Sequence, residues 1–459
     1  MENRVDHTDH NTDDNTVYNT AHNVDVLVIG GGPSGLSSAY YLEQMGMDYC
    51  VIERGTLLST WRHERWDSFT LVTPNWMTRL PGMEGAAPSD NQFMTLKEIN
   101  ALLTAWVEHF EPQVMEGVTA TRLRALTEEE QAAMPVAPYD RPPRFVVETT
   151  AGTFHAHDVI VATGQYNQPF IPAASKEFPA GVQQLHSVSY KNPDQLAEGG
   201  VLVVGGGRSG IQIALELRQA GREVWLSLGT QRPIPDAYDN VNGVYWLNRL
   251  SGFAKLDRGV EYGPDDLERL EIVEKLRQNL ATCQQQGVNL VGRLTGFREG
   301  ALTVRPNLFE TLKDSETYLQ RFIAEIESHI VSEGLGKPEK ALDLNLPRLS
   351  WGALKETERL DLAETGIASV VWATGFRPNY QWVDAPVFAD DGQLIHEAGK
   401  TSIDGLYFTG VELNPGFGGP SPYGIGFYSF GEDAQRVVDQ ICEDSGSMFW
   451  ADSEIEGLD

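Results

Sequence analysis

Three cysteines in 459 residues are too few, and too far apart, to staple a fold. Cys50, Cys283 and Cys442 form no C-x-x-C pair. That argues against a disulfide framework and a dithiol redox centre, and fits a reducing, cytoplasmic setting. Positive charge is scarce too: 35 Lys and Arg face 65 Asp and Glu, a formal net charge of −30. Such a surface repels nucleic acid and anionic membranes, so a phosphate site must be made attractive locally. No apolar run is long enough to span a bilayer, and residues 1–23 hold no apolar stretch of the signal-peptide kind. That polar arm and the acidic stretch 443–459 are expected to be loose tails. The arm's His7, His10 and His22 lack metal-ligand spacing, and no metal is expected.

What is present is organised around Val24–Arg54. Val24–Ile29 reads as a strand buried on both faces. It runs into Gly30-Gly31-Gly32-Pro33-Ser34-Gly35, a G-x-G-x-x-G, then a helix to about Met45 and a second strand, Tyr49–Ile52, closing on Glu53. In such a unit Gly30 makes the tight turn, Gly32 lets the backbone approach a pyrophosphate, and Gly35 lets helix and strand pack closely. Pro33 and Ser34 open the helix, whose N-terminus offers free N–H groups to phosphate. Glu53, with Arg54 beside it, stands where a carboxylate accepts from ribose hydroxyls.

The loop 57–82 that follows has neither helical nor strand period. Its Trp61, Arg62, Trp66, Thr73 and Asn75 mix flat faces with hydrogen-bonding groups and suit a planar heterocycle; tryptophans packed as core plugs are an equal expectation. Residues 96–110 read as a helix, and 112–124 as a short strand pair that brings Val118 to the first nucleotide. Arg144–Val147 and Thr153–Val161 form a small β region ending in Ala162-Thr163-Gly164, small residues past which a cofactor can lie.

Then the pattern returns. Val201–Val204 is a buried strand, Gly205-Gly206-Gly207-Arg208-Ser209-Gly210 the turn, Ile211–Gln219 the helix and Glu223–Leu226 the second strand. No acid stands where Glu53 stands in the first unit. Ser227, Thr230 and Arg232 are there instead, a set that welcomes a 2′-phosphate where a carboxylate repels it. The first unit is therefore expected to take a nucleotide with a free ribose and the second to prefer NADPH over NADH.

Between 231 and 348 lies an insertion with helical faces at Leu267, Leu270, Val273, Leu276 and Leu280 and at Leu308, Leu312, Phe322, Ile326 and Ile330, flanking a hairpin at 288–304. Val370–Trp372 then ends in Ala373-Thr374-Gly375-Phe376-Arg377, repeating the ending at 162–164. Two strands ending alike at the two crossings imply one nucleotide domain inserted in the other. A last strand, 405–410, closes on Gly410 before the loop 414–426 and a helix at about 432–441. The expected fold class is α/β: a domain at 24–168 completed by 373–442, both Rossmann-like, with a second Rossmann-like domain at 169–372 inserted.

Together these features resemble the class B flavoprotein monooxygenases, from Val24 to about Ile441. The resemblance rests on the two Gly turns, the two Ala-Thr-Gly strands and a segment similar to F-x-G-x-x-x-H-x-x-x-Y-K, in which Phe178, Gly181, His186, Tyr190 and Lys191 match in order with one extra residue on each side of Gly181. Tyr190-Lys191 is similar to the flavin-containing branch. The resemblance implies FAD in the first unit, lined by residues 61–68, Thr73 and Asn75, and NADPH in the second. It implies oxygenation of an amine nitrogen or sulfur of a small substrate by O₂ through a peroxyflavin, with Asn75, His186, Tyr190 and Lys191 nearest the chemistry. A homodimer is compatible with the pattern. An NADPH oxidase or diaphorase is the alternative; a disulfide reductase needs a cysteine pair, and a non-catalytic flavoprotein sensor would have no use for the second nucleotide site.

Overall fold

The computed structural model describes residues 21–88, 92–134, 141–233, 279–334, 348–411 and 429–444, with Ala237, Tyr238, Val241, Asn242, Gly243, Trp246, Leu250 and Phe427. Two parallel-centred sheets organise it. The first is built on β1 (Ala21–Ile29), which pairs in parallel with β2 (Tyr49–Glu53) on one side and with the long β6 (Gly152–Val161) on the other. β3 (Val114–Glu116) extends it beyond β2, while β4 (Ala120–Ala125) and β5 (Phe145–Thr149) extend it antiparallel from the start of β6. β3 and β4 are not a pair with each other, as a hairpin reading of 112–124 would have it; they lie at opposite sides of the sheet. β1 also starts earlier than expected. Ala21, His22 and Asn23 are paired with Thr153, Phe154 and His155, and the His22 ring stacks on Phe154.

The second sheet is wholly parallel. Its order is β10 (Asn289–Val291), β9 (Val224–Ser227), β8 (Gly200–Val204), β14 (Ile367–Trp372), β7 (Gln183–His186). In both sheets the strand that carries the Gly turn is interior, with the next strand of its unit on one side and a strand from much later in the chain on the other. That is the topological switch point at which open α/β sheets bind ligands.

The chain leaves the first sheet after β6, builds the second, and returns through β15 (Val383–Asp384) and β16 (Leu406–Phe408), which pair with β4 and β6. At the two crossings, Gln168–Pro169 pairs antiparallel with Phe376–Arg377, so exit and return are tied together. Helix α1 (Pro33–Gln44) packs in the first unit against the last helix, α6 (Phe430–Asp444), and α4 (Arg208–Gln219) covers β8 and β9 in the second.

Within 57–82, expected to be loop, Ser59–His63 forms a short helix, α2, entered through Leu58 at φ +60°. Helix α3 (Leu96–Phe110) has the expected bounds, set by a capping box between Thr95 and Glu98. In the insertion, the hairpin is shorter than 288–304: β11 (Leu294–Arg298) and β12 (Ala301–Val304) form it, with β13 (Arg359–Asp361) as a third strand, while 289–291 belongs to the large sheet. The expected apolar face of α5 (Leu308–Ser332) is buried at all five positions. The face at 267–276 and the loop 414–426 lie outside the described residues.

Candidate functional site

Each Gly turn is a place where a side chain cannot be added. Gly30 and Gly205 both hold φ +118°, and a Cβ on either would meet the carbonyl oxygen of Ala162 or Ala373, at 2.7 and 2.3 Å. A Cβ on Gly35 or Gly210 would stand 1.9 or 1.8 Å from the carbonyl oxygen of Gly30 or Gly205. These four glycines are therefore demanded by the protein itself. Gly32 and Gly207 are different. Each has extended backbone, and a Cβ there would meet nothing within 4 Å. The open space before the N-termini of α1 and α4 fits a pyrophosphate, since the partial positive charge of a helix N-terminus favours anions.

A cavity of about 200 Å³ opens beside the first turn. Gly30, Gly32, Glu53, Arg54, Val118, Ala162 and Thr163 line it, so seven of the expected residues meet there. Tyr166, Asn167, Asn379 and Trp382 join them without having been expected; they come from just beyond the two Ala-Thr-Gly endings, and that repetition was the available signal. An adjoining cavity of about 630 Å³ shares Arg54, Asn167 and Asn379 and is bordered by His63, Glu64 and Lys191.

Glu53 is nearly buried and its carboxylate accepts from the N–H of Gly31 at 2.7 Å and of Gly55 at 2.8 Å. A carboxylate has about four acceptor sites, so ribose hydroxyls can still be held by an anion already fixed in place. Gly410, at φ +69°, closes the same corner against Ser34.

The second turn has another clasp. The amide of Gln231 lies over Gly206, as Glu53 lies over Gly31, and its Nε2 donates to the carbonyl of Gly229 at 3.1 Å. Ser227, expected beside a phosphate, is buried instead: its Oγ donates to the Gly292 carbonyl (3.0 Å) and accepts from the Leu294 N–H (2.9 Å). Thr230 is exposed, and the Arg232 guanidinium lies over the Tyr318 ring on α5, 5.7 Å from its centroid. Arg208 and Ser209 form the first turn of α4. Thr374 Oγ1 donates to the Phe170 carbonyl, Gly375 accepts from the Phe170 N–H, and the Arg377 guanidinium sits 3.9 Å above the Phe170 ring, so this Ala-Thr-Gly run holds the crossing together.

Several expected flavin-facing residues are packed against other side chains. Trp66 is 3% exposed in the core of the second unit with Tyr190, Ile213 and Val371, and its indole N–H has no acceptor among the described residues. Trp61 packs on Phe427 and Phe69 under the Arg65 guanidinium. Arg62 is exposed and reaches Thr104 at 3.5 Å. Thr73 and Asn75 are buried at a 3-10 turn whose Met77 packs against α5.

Of the residues expected nearest the chemistry, Tyr190 is wholly buried and donates to Glu216 at 2.7 Å; burial and that carboxylate push its phenol well up. His186 Nδ1 accepts from the Val188 N–H, so its Nε2 is the proton-bearing nitrogen and donates to the Gly375 carbonyl at 3.0 Å; burial holds its pKa down despite that bond. Lys191 alone borders a cavity. Its ammonium donates to the carbonyls of His63 and Arg65, and partial burial lowers its pKa against the pull of Asp67 and Glu64. Asp67 N–H to Lys191 O and Asn192 to Asp67 complete a clamp between the loop of the first unit and the segment entering the second.

Comparison with known proteins agrees with this geometry. The family described as Pyridine nucleotide-disulphide oxidoreductase matches residues 27–249. A Geobacillus kaustophilus protein named "Uncharacterized oxidoreductase CzcO-like" is 29% identical over 92% of this chain and 99% of its own. Rice indole-3-pyruvate monooxygenase YUCCA1 is 31% identical over 42% of this chain and 45% of its own. The solved flavin-containing monooxygenase from Stenotrophomonas maltophilia has the same fold, with a TM-score of 0.59 at 19% identity, covering 92% of this chain and 99% of that one. Among the described residues no helix is long and apolar enough to cross a membrane. The resemblance to the class B flavoprotein monooxygenases is thus carried by the fold as well as by the motifs, and the chain is an oxidoreductase with two dinucleotide folds.

Proposed function

We propose that the first Gly turn holds FAD and the second NADPH, and that the protein is a monooxygenase acting on an amine nitrogen or a sulfur of a small organic substrate. The observation that carries this reading is the pair of turns with the same φ and the same close approaches but different clasps: a carboxylate over Gly31, a neutral amide over Gly206. The first suits an unphosphorylated ribose and the second a 2′-phosphate. When bound, the flavin supplies the redox chemistry that activates O₂. NADPH provides two electrons, one oxygen atom goes to the substrate and the other leaves as water. The chain's own part is to hold and to enclose. Glu53 orients the ribose, Gly32 and Gly207 make room for the phosphates, and the Lys191 clamp shuts the seam between the units against water.

Disulfide reduction, the other chemistry of this fold, is disfavoured by the thiols. Cys50 lies on β2, Cys283 is buried in the second unit and Cys442 lies on α6. Burial pushes the first two up to about 11 and 12 and raises the third, so none is a ready thiolate. The decisive experiment supplies NADPH, isotopically labelled O₂ and a panel of amines and thioethers, and reads product by mass spectrometry. One labelled oxygen in product per NADPH consumed is expected. Stoichiometric hydrogen peroxide with no labelled product from any substrate would overturn the reading in favour of an NADPH oxidase.

A further inference from the structure

The two units share more than their turns. In the first, the third strand ends at Glu116, and two residues later Val118 donates its N–H to the Glu53 carbonyl at 2.8 Å and lines the nucleotide cavity. In the second, the third strand ends at Val291, and the residue two positions later is Arg293. The ends of the strands are joined there as well, by the Leu228 N–H to the Val291 carbonyl at 3.0 Å. The pairing registers set Ile52 against Met115 and Ser227 against Val291, so Arg293 stands at the counterpart of Gly117, next to the station that Val118 occupies in the first unit.

Its backbone is fixed from three sides. Ser227 Oγ bridges Gly292 and Leu294, Asn307 Oδ1 accepts from the Arg293 N–H at 3.2 Å, and the Arg293 carbonyl accepts from Arg305 at 2.9 Å. A Cβ on Gly292 would clash with the Arg305 carbonyl at 2.0 Å, so the turn is built to this shape. The side chain is directed back across the end of the second strand: a Cβ placed on Gly229 would lie 3.4 Å from Arg293 Nη2 and 3.9 Å from Nε. Two guanidinium nitrogens therefore face the segment 229–231 that carries the Gln231 clasp. Arg293 is exposed and its guanidinium makes no hydrogen bond or ion pair among the described residues, whereas Arg232 is turned to the Tyr318 ring.

We infer that Arg293 is the residue that selects the 2′-phosphate in the second nucleotide site, with Ser227 as the positioning residue beneath it. A planar guanidinium with adjacent donors matches a phosphate bidentately, and Gly229 keeps the approach clear. This rests on the reading of the second site as an NADPH site, and the test separates the two. With the first site saturated with FAD, calorimetry compares adenosine 2′,5′-bisphosphate with adenosine 5′-monophosphate. Wild type is expected to prefer the bisphosphate. Arg293→Ala should reduce that preference about 10- to 100-fold, Arg293→Lys should restore part of it, and Arg232→Ala should leave most of it. A wild-type preference that survives Arg293→Ala overturns the inference alone. A wild type with no preference overturns the NADPH reading with it. Because the ratio of two ligands is read, a general loss of folding does not mimic the expected result.

Discussion

The two Gly turns are nearly copies in backbone and opposite in what is laid over them. Both begin at φ +118°, both press a glycine of the helix onto the first glycine's carbonyl, and both lie beside an Ala-Thr-Gly ending. Over the first, Glu53 binds two backbone N–H groups and holds its charge in a buried corner; over the second, Gln231 brings an uncharged amide and Arg293 a cation at the rim. A phosphate cradle is a backbone property and can be repeated unchanged. Which nucleotide fills it is decided by one or two side chains at the end of the second strand.

The comparison can be broken first at the shared part. Gly35→Ala and Gly210→Ala drive a Cβ into a backbone carbonyl, and each should lower Tm on the order of 10 °C. Gly32→Ala and Gly207→Ala, with open space around them, should leave the Tm of the nucleotide-free protein unchanged and abolish binding of FAD or NADPH respectively, read by thermal melts and by retained flavin. A fall in Tm with Gly32→Ala would show that the space serves packing.

At the clasps, Glu53→Ala strands the N–H groups of Gly31 and Gly55 and removes the ribose acceptor. FAD affinity should fall about 10- to 100-fold, measured by flavin titration of apoprotein, and unchanged affinity would remove Glu53 from the site. Gln231→Glu makes the second clasp like the first. The NADPH-over-NADH preference should drop about tenfold through repulsion of the 2′-phosphate, measured by flavin reduction kinetics under anaerobic conditions.

The smallest effect is at the crossings. Gly375 is held by a titratable side chain, His186, whose folded pKa lies below the ordinary 6.5 because the ring is buried. The unfolded chain then takes up the proton more readily than the folded one. The stability held by neutral His186 is complete above about pH 6.5 and is lost as pH falls below it. His186→Gln should flatten the acid side of the Tm-against-pH curve, and a curve unchanged in shape would place the sensitivity elsewhere.

Local order was legible in the sequence wherever one stretch of chain supplied all the partners. Helix α3 was legible because its cap, its period and its apolar face are all within Thr95–Phe110, and the Gly turns because their spacing is the constraint itself. The site was half legible. Glu53 could be placed because its partners, Gly31 and Gly55, are local to the motif. Ser227 could not, because its partners stand 65 and 67 residues on, within the insertion. Arg293 carries no motif at all; only the pairing of the second and third strands brings it to Gly229. Trp66 and Tyr190 looked like site residues because aromatic rings suit flavins and cores equally well, and only tertiary packing distinguishes the two.

Trp66 belongs by chain position to the first unit and by packing to the second, where it meets Tyr190, Ile213 and Val371, and Phe69 packs against the cores of both. The modules of this protein are thus not the ones that its strand order suggests. A second unit transplanted from a relative with the boundaries of its sheet would arrive with a hole the size of an indole, and the recipient would keep an apolar strap with nothing to cover it. The smallest exchangeable piece must carry Trp66 along with the inserted unit. Recombination at the two crossings alone, although they are adjacent in space, cuts through a core.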